Sequence, residues 1–440
     1  MTVTEDEGTA SRTRGASGLL SVAAGLAVYG LATYGFLAAA GRGLPAEEFT
    51  PLSVMWTVLN AAGIGLFVPF EQELSRRTAI ARATGTANRA AAAHALRGAG
   101  VLLAAVAVAA AAFSRPIAQH LFAGRTSLVA LLVAAMAGMA MSYVARGLLS
   151  GNGRFGRYGA QLAVDGVLRV AAAGTLAAVG VRGSALYALV LFLSPVVAVL
   201  LTTPAPRRLL TAGPVVPRAG ATAALATLVA ASALSQTLAN AGPVIVQLLA
   251  GPGESTAAGL FTAALVIARV PLFAFAAVQA VLLPGLAGFV GTRDATGLRA
   301  RGRLVAVWTG SLGAVGTVAV WLLGPWLVRL LFGPTFTTGR GVITAIAASG
   351  AAFMLAQVAA QVLLALGDER VVVLGWGVGL VALVATCAWQ APIDQRAAAA
   401  LVVGAVVALL ALGGVAVLRV RRWAGNVGSG LGSGPVVAHE

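Results

Sequence analysis

Stretches of about twenty apolar residues, most of them free of charge, recur along this chain from residue 18 to residue 418. That recurrence constrains the fold more than any motif. A helix needs about 20 residues to cross the ~30 Å hydrocarbon core of a bilayer. In hydrocarbon every backbone N–H and C=O must be bonded within the protein, which leaves helices as the natural reading of such runs. The hydropathy pattern predicts spans near residues 18–40, 50–69, 98–114, 126–148, 158–179, 183–203, 220–250, 257–289, 303–323, 341–366, 371–391 and 397–418. Length alone, 440 residues, would suggest two or three soluble domains. Charged residues make up only 10% of the chain and its mean hydropathy is +0.91, against about a quarter charged in soluble domains, so that reading is excluded. The first apolar run follows Arg12 and Arg14. It is longer than a signal-peptide core and many spans follow it, which reads as a retained first helix.

Every basic side chain is an arginine, and the net charge is +16. Such a balance could indicate nucleic acid, but the arginines sit in short loops between apolar runs, where they set orientation instead. With the N-terminus on the cytoplasmic side, 21 arginines fall in cytoplasmic segments and 7 on the other side, with Arg169 and Arg269 inside spans. The positive-inside rule then places both termini in the cytoplasm of a multi-pass protein of the cell membrane. The expected organisation is an N-terminal segment 1–17, a six-helix lobe 18–203, a Pro-rich cytoplasmic linker 204–218, a second six-helix lobe 219–420, and a Gly/Ser-rich tail 421–440 read as disordered.

The two halves carry a similar signal. Leu148-Leu149-Ser150-Gly151-Asn152-Gly153-Arg154 joins the fourth and fifth spans, and Leu363-Leu364-Ala365-Leu366-Gly367-Asp368-Glu369-Arg370 joins the tenth and eleventh. Both read as apolar helix, glycine turn, arginine, apolar helix, about half a chain apart. This suggests a parallel repeat of two six-helix units, an arrangement used by transporters.

Motifs for catalysis fail. Gly151-Asn152-Gly153-Arg154-Phe155-Gly156 matches G-x-G-x-x-G, but a dinucleotide site needs a strand before it and a helix aimed at a pyrophosphate. Without lysine there is no Walker A loop. His94, His120 and His439, read as loop or tail residues, have no metal-ligand spacing, and the single Cys387 allows no intrachain disulfide or cysteine cluster. No catalytic residue, metal or cofactor is expected, and enzyme activity is not.

What remains is polarity inside the spans, which is costly in lipid and faces a cavity or a partner. Asp165 and Arg169 stand at i, i+4 on the fifth span and share a face. They read equally as a local ion pair or as a cavity site. Arg269 has no acidic residue within a helical turn and is followed by Pro271, which fits a cation facing water or an anionic substrate. Arg146, at the cytoplasmic end of the fourth span, is expected to snorkel. Gln236, Asn240 and Gln247 fall within about 40° of one another on a helix, Gln357 and Gln361 share a face, and Asn60 lies on the second span, three turns before Glu71. Such amides read either as interhelical glue or as the lining of a cleft that hydrogen-bonds sugar hydroxyls. Pro195, Pro243, Pro271 and Pro284 are expected to break or bend their spans.

Several segments resemble one family. Leu44-Pro45-Ala46-Glu47-Glu48-Phe49 resembles the turn after the first helix of bacterial polysaccharide flippases. Glu71-Gln72-Glu73-Leu74-Ser75-Arg76-Arg77 resembles the basic end of their second helix, and Arg146-Gly147-Leu148-Leu149-Ser150-Gly151 with Arg154-Phe155 their fourth-to-fifth turn. Arg269-Val270-Pro271-Leu272-Phe273 through Leu283-Pro284 resembles their eighth helix, and Leu331-Phe332-Gly333-Pro334-Thr335-Phe336 the start of their tenth. The resemblance covers nearly the whole chain and is to the multidrug/oligosaccharidyl-lipid/polysaccharide (MOP) exporter superfamily. It implies an all-α polytopic protein of two six-helix lobes in a MATE-like V with a cationic cleft.

It further implies flipping of a lipid-linked, undecaprenyl-pyrophosphate oligosaccharide across the cytoplasmic membrane by alternating access. Arg269 matches an eighth-helix arginine needed by relatives that flip the peptidoglycan precursor. The pyrophosphate would be held by Arg269 and Arg169, with Asp165, Arg146 and the amides lining the substrate path. Twelve expected helices, against fourteen in the peptidoglycan-precursor flippases, favour an oligosaccharide or teichoic-acid substrate. The alternatives are an ion-coupled multidrug exporter, with Asp165 as the coupling carboxylate, and a membrane scaffold for glycosyltransferases. Expected partners are the lipid-linked oligosaccharide, membrane lipids, and glycosyltransferases or a polysaccharide polymerase.

Overall fold

A computed structural model describes residues 4–205, 208–211, 221–251, 253, 254, 256–272, 275, 286, 289, 290 and 292–428. The chain is all-helical, 87% helix, with no strand among the described residues. The helices are α1 (Thr4–Gly43), α2 (Ala46–Thr84), α3 (Arg89–Ala112), α4 (Ser114–Leu121), α5 (Thr126–Gly151), α6 (Phe155–Ala178), α7 (Ser184–Thr202), α8 (Ala221–Leu249), α9 (Ala257–Ala268), α10 (Ala295–Phe332), α11 (Arg340–Ala365), α12 (Glu369–Thr386) and α13 (Ile393–Gly428). Among the described residues, eleven are long and apolar enough to cross a membrane, the exceptions being the short α4 and α9. This is a multi-pass membrane protein.

Hydropathy placed the spans but misplaced their ends, because apolar windows stop at charges and helices do not. The second span was expected to end at residue 69, yet α2 continues through Glu71, Glu73, Arg76 and Arg77 to Thr84. There Glu73 accepts hydrogen bonds from Arg76 Nε (2.9 Å) and Arg77 Nε (2.6 Å), so the charges pair along the helix instead of ending it. α10 begins at Ala295, where the Asp294 side chain caps the Gly297 N–H at 2.8 Å. α13 runs to Gly428 past Arg421 and Arg422, so the tail expected from residue 421 starts as helix. Its Arg419 is ion-paired to Asp368 at 3.2 Å. α1 likewise already begins at Thr4, within the segment expected to precede the first span.

In the expected eighth span, 257–289, α9 ends at Ala268 and Arg269 interrupts the helix, which resumes at Val270. Pro271 has no N–H to continue the ladder there. Phe273, Leu283, Pro284, most of the 204–218 linker and residues 429–440 lie outside the described residues. Pro195 and Pro243 do not end their helices, since α7 and α8 run through them.

The chain divides into two compact units, residues 1–55 with 66–218 and residues 56–65 with 219–440. In the first unit α1 packs along α6, and α5 packs on α3 and α7. Contact is close because glycines face backbone. A Cβ at Gly159 of α6 would collide with the Ser21 carbonyl, and one at Gly166, two turns on, would stand 2.9 Å from Ala32 Cβ. On α5, Gly147 and Gly151 sit against the Glu71 and Ser75 carbonyls of α2. Small residues let helices approach where lipid supplies no hydrophobic drive. Past α7, Leu209 is buried and its carbonyl accepts from Asn88 Nδ2 (2.8 Å), while Asn88 Oδ1 accepts from the Thr211 N–H (2.7 Å). The start of the linker is thereby seated on the α2–α3 loop.

In the second unit α11 is the most enclosed of the long helices, packed by α9, α10 and α13. α12 and α13 cross where Gly379 meets the Gly404 carbonyl, 2.8 Å from where a Cβ would be.

The two turns of the repeat have one geometry. Arg154 N–H bonds to Leu149 O (2.8 Å) and Gly153 N–H to Ser150 O (2.9 Å). In the second half Asp368 N–H bonds to Leu363 O (2.9 Å) and Gly367 N–H to Leu364 O (3.1 Å). This is the Schellman pattern, which needs a left-handed residue after the helix, and Gly153 and Gly367 supply it at φ +69° and +81°.

In the orientation expected from the arginine count, these turns would face the cytoplasm and the opposite end of α12 the outside. Cys387 follows that end. Burial pushes its thiol above the ordinary range while Arg396 pulls the other way, so its reactive thiolate fraction keeps growing as pH rises past 9. A membrane-impermeant maleimide is expected to label Cys387 on intact cells, slowly at neutral pH and faster at pH 9. Labelling only after the cells are opened would reverse the orientation.

Candidate functional site

Each unit holds buried polar side chains. In the first unit the α2–α5 glycine contact brings Arg146, next to Gly147, onto Glu71. Arg146 Nε donates to Glu71 Oε2 at 3.1 Å, and the Tyr158 hydroxyl of α6 donates to Glu71 Oε1 at 2.7 Å. The Arg146 guanidinium also lies 4.2 Å from the centre of the Tyr143 ring, one turn back on α5. Arg146 is only 6% exposed, so the snorkelling expected for it does not occur. The longer α2 places a carboxylate at the depth of Arg146, and a neighbour replaces water.

Two turns further along α6, Arg169 Nη2 donates to both carboxylate oxygens of Asp165, at 3.0 and 3.2 Å. Arg169 Nε donates to Ser194 Oγ of α7 at 3.4 Å, and its guanidinium lies 5.2 Å from the Tyr29 ring of α1. Asp165 and Arg169 thus form the local ion pair that the i, i+4 spacing allowed. Between the two pairs Gln161, 1% exposed, donates to the Ser142 carbonyl at 3.4 Å, and its own buried Oε1 has no hydrogen-bond partner among the described residues. The two ion pairs are each neutral as a unit, which is how a buried charge is tolerated.

In the second unit the amide stripe of α8 meets the end of α9. Arg269 Nη1 donates to Asn240 Oδ1 at 2.7 Å, and Asn240 Nδ2 donates to Gln236 O (2.9 Å) and Gln236 Oε1 (3.3 Å). Asn240 is buried and Arg269 half-buried. The side-chain amide of Asn240 therefore shows its oxygen to the cation because its nitrogen is committed to its own helix. Arg269 caps α9 instead of lying inside a continuous span. The planar guanidinium fork matches the oxygens of a phosphate or carboxylate.

Asn60 donates to the Trp56 carbonyl of its own helix at 2.8 Å, and Gln247 is half-buried further along α8. Gln357 is buried on α11, and the buried Oε1 of Gln361, one turn on, has no hydrogen-bond partner among the described residues. His94 and His120 lie in α3 and α4, not in loops, and His439 is outside the described residues. The reading of single residues missed the roles of Glu71, Tyr158, Tyr143 and Tyr29. Glu71 was within reach, as a carboxylate three turns beyond Asn60 in phase with the span.

No family model matches the chain. It is 30% identical over 417 residues to Uncharacterized protein Rv1510 of Mycobacterium tuberculosis (strain ATCC 25618 / H37Rv), across 90% of each chain. It is 28% identical over 369 residues, 80% of each chain, to Uncharacterized protein Rv3630 of the same strain. Among solved structures it is similar to a multidrug resistance MATE family transporter of the MOP superfamily in its inward-facing conformation. There the TM-score is 0.68 at 16% identity, covering 93% of this chain and 98% of that one. For an outward-facing conformation the TM-score is 0.66 at 14% identity, covering 92% and 96%. The fold is therefore MATE-like, as the resemblance implied.

Proposed function

This chain belongs to the family of the mycobacterial protein Rv1510, and on that premise, with its MATE-like fold, we propose that it is a MOP-superfamily membrane exporter that flips a lipid-linked oligosaccharide. The reading rests on one observation above all: the half-buried Arg269 set in a row of neutral amides, Asn240 and Gln236. Guanidinium matches the oxygens of a pyrophosphate, amides match sugar hydroxyls, and the prenyl chain would remain in lipid. Asp165 and Arg169 are paired with each other, which leaves Arg169 less suited to the pyrophosphate than the sequence suggested.

Binding of purified, detergent-solubilised protein to an undecaprenyl-pyrophosphate oligosaccharide tests this. Arg269→Ala is expected to weaken binding by about tenfold, roughly 1.4 kcal/mol. Equal affinity of wild type and variant would remove Arg269 from the site.

The second reading is an ion-coupled multidrug exporter, favoured by the multidrug transporters among the structural neighbours. It needs a carboxylate that takes up and releases an ion. Asp165 accepts two bonds from an arginine that keeps its charge at working pH, which opposes that role. Cationic drugs binding where the oligosaccharide does not would put this reading first.

A further inference from the structure

α10 is 38 residues long, about 57 Å at 1.5 Å per residue, nearly twice what a bilayer core requires. The outermost two of its three tryptophans show where the surplus lies, Trp321 between them being covered by the Arg340 guanidinium at 5.5 Å. Trp308 and Trp326 are 70% and 55% exposed. They are eighteen residues apart, five full turns, so they share a face and are separated by about 27 Å. Residues 309–325 between them carry no charge, and Val315, Val318, Leu322 and Leu323 are exposed there. Tryptophan settles at membrane–water interfaces, and ~27 Å is close to the hydrocarbon thickness. Trp308 and Trp326 therefore mark the two edges of the core along α10.

The part of α10 before Trp308 then lies outside the hydrocarbon, and every charged residue in it is an arginine. Arg303, Arg301 and Arg299 lie about 7, 10 and 13 Å beyond Trp308 along the axis, and all three are exposed. Exposed Arg293 precedes them just before the helix cap. The one acid in residues 289–308 is Asp294, whose carboxylate is engaged by the Gly297 N–H as the helix cap. The headgroup layer is about 5–8 Å deep on each side of the core. Arg303 stands within it, and Arg301 and Arg299 reach back from its aqueous edge on flexible stems. Arg299 and Arg303 share one face of the helix and Arg301 points to the other, so the charge forms a collar around α10.

We propose that this collar, Arg299, Arg301 and Arg303 beneath Trp308, is a binding site for the phosphodiester headgroups of anionic phospholipids in the leaflet that meets the start of α10. The arginine count assigns that leaflet to the cytoplasm. The site lies wholly on one helix and does not depend on which substrate is exported. Its occupant is argued from charge and depth together: clustered arginines just outside a span attract acidic lipid, and at this depth the phosphates of the bilayer are their nearest anions.

The test reconstitutes the full chain into phosphatidylcholine bilayers containing phosphatidylglycerol with brominated acyl chains. Quenching of Trp308 is read as the difference between wild type and Trp308→Phe. The wild type is expected to prefer the brominated phosphatidylglycerol over brominated phosphatidylcholine. Arg299→Gln/Arg301→Gln/Arg303→Gln should lose at least about tenfold of that preference, and the corresponding triple lysine variant should keep it. Millimolar inorganic phosphate, at matched ionic strength, should leave the quenching unchanged. The absence of a preference in the wild type, its survival in the glutamine variant, or its loss in the lysine variant would overturn the proposal. So would displacement by free phosphate as complete as that by the glutamines, which would make the site one for a soluble anion.

Discussion

Arg169→Met is expected to destabilise the first unit by about 3–5 kcal/mol, and Asp165→Leu by a similar amount, because each leaves an uncompensated charge in the interior. The double variant should cost clearly less than either. The side chains are only 4% and 5% exposed, and Arg169 Nη2 bonds both carboxylate oxygens. The attraction of the pair therefore offsets a desolvation penalty that neither group could bear alone. Removing both trades the pair for apolar packing against Ser194 and Tyr29, a change that is often neutral or favourable. Thermal unfolding in detergent across the four proteins gives the coupling as a double-mutant cycle. Additive single effects would mean that the pair is held by its surroundings and not by itself. The same variants bear on transport. If the double variant folds and exports at the wild-type rate, the ion-coupled reading through Asp165 is lost.

Much of this architecture was legible because the bilayer enforces it. A span needs about 20 uncharged residues whatever its neighbours are, so the apolar runs located the long helices without tertiary information. The turns at Gly153 and Gly367 were legible for a related reason, since a helix that must stop between two spans needs a left-handed residue there. The i, i+4 spacing of Asp165 and Arg169 was legible as a shared face, though not the choice between ion pair and cavity. That choice depends on Ser194 of α7 and Tyr29 of α1, which lie far away in sequence.

Helix ends were the weak point, and they decided what was missed. Ending the second span at residue 69 left Glu71 beyond it and left Arg146 to find water. Extending α2 to Thr84 puts both at one depth, and only the packing of Gly147 against the Glu71 backbone brings them together. On α8 Gln236 and Asn240 meet one turn apart, but the contact of Asn240 with Arg269 depends on α9 stopping at Ala268. Periodicity within one helix carries no such information.

Glu71→Gln is the second large effect expected. The substitution keeps the shape and leaves Arg146 buried opposite a neutral amide, at a cost of about 3 kcal/mol or more. The Tyr158 hydroxyl would then donate to an uncharged oxygen, losing the stronger charge-assisted bond. Tyr158→Phe alone removes one hydrogen bond to a charged group and should cost about 1.5–3 kcal/mol. Glu71→Gln/Arg146→Met should recover much of the loss, since the Tyr143 ring can pack a thioether as well as a guanidinium.

Reading unfolding and oligosaccharide binding on the same samples separates two roles. If Glu71→Gln melts early but binds like wild type once folded, the first unit's charges are framework, and recognition stays with Arg269 in the second. If the folded variant instead loses binding while Glu71→Gln/Arg146→Met restores stability without restoring affinity, Arg146 meets the substrate. The assignment of a single recognising arginine would then fall, because a pair that is neutral in the resting protein would have to open during transport.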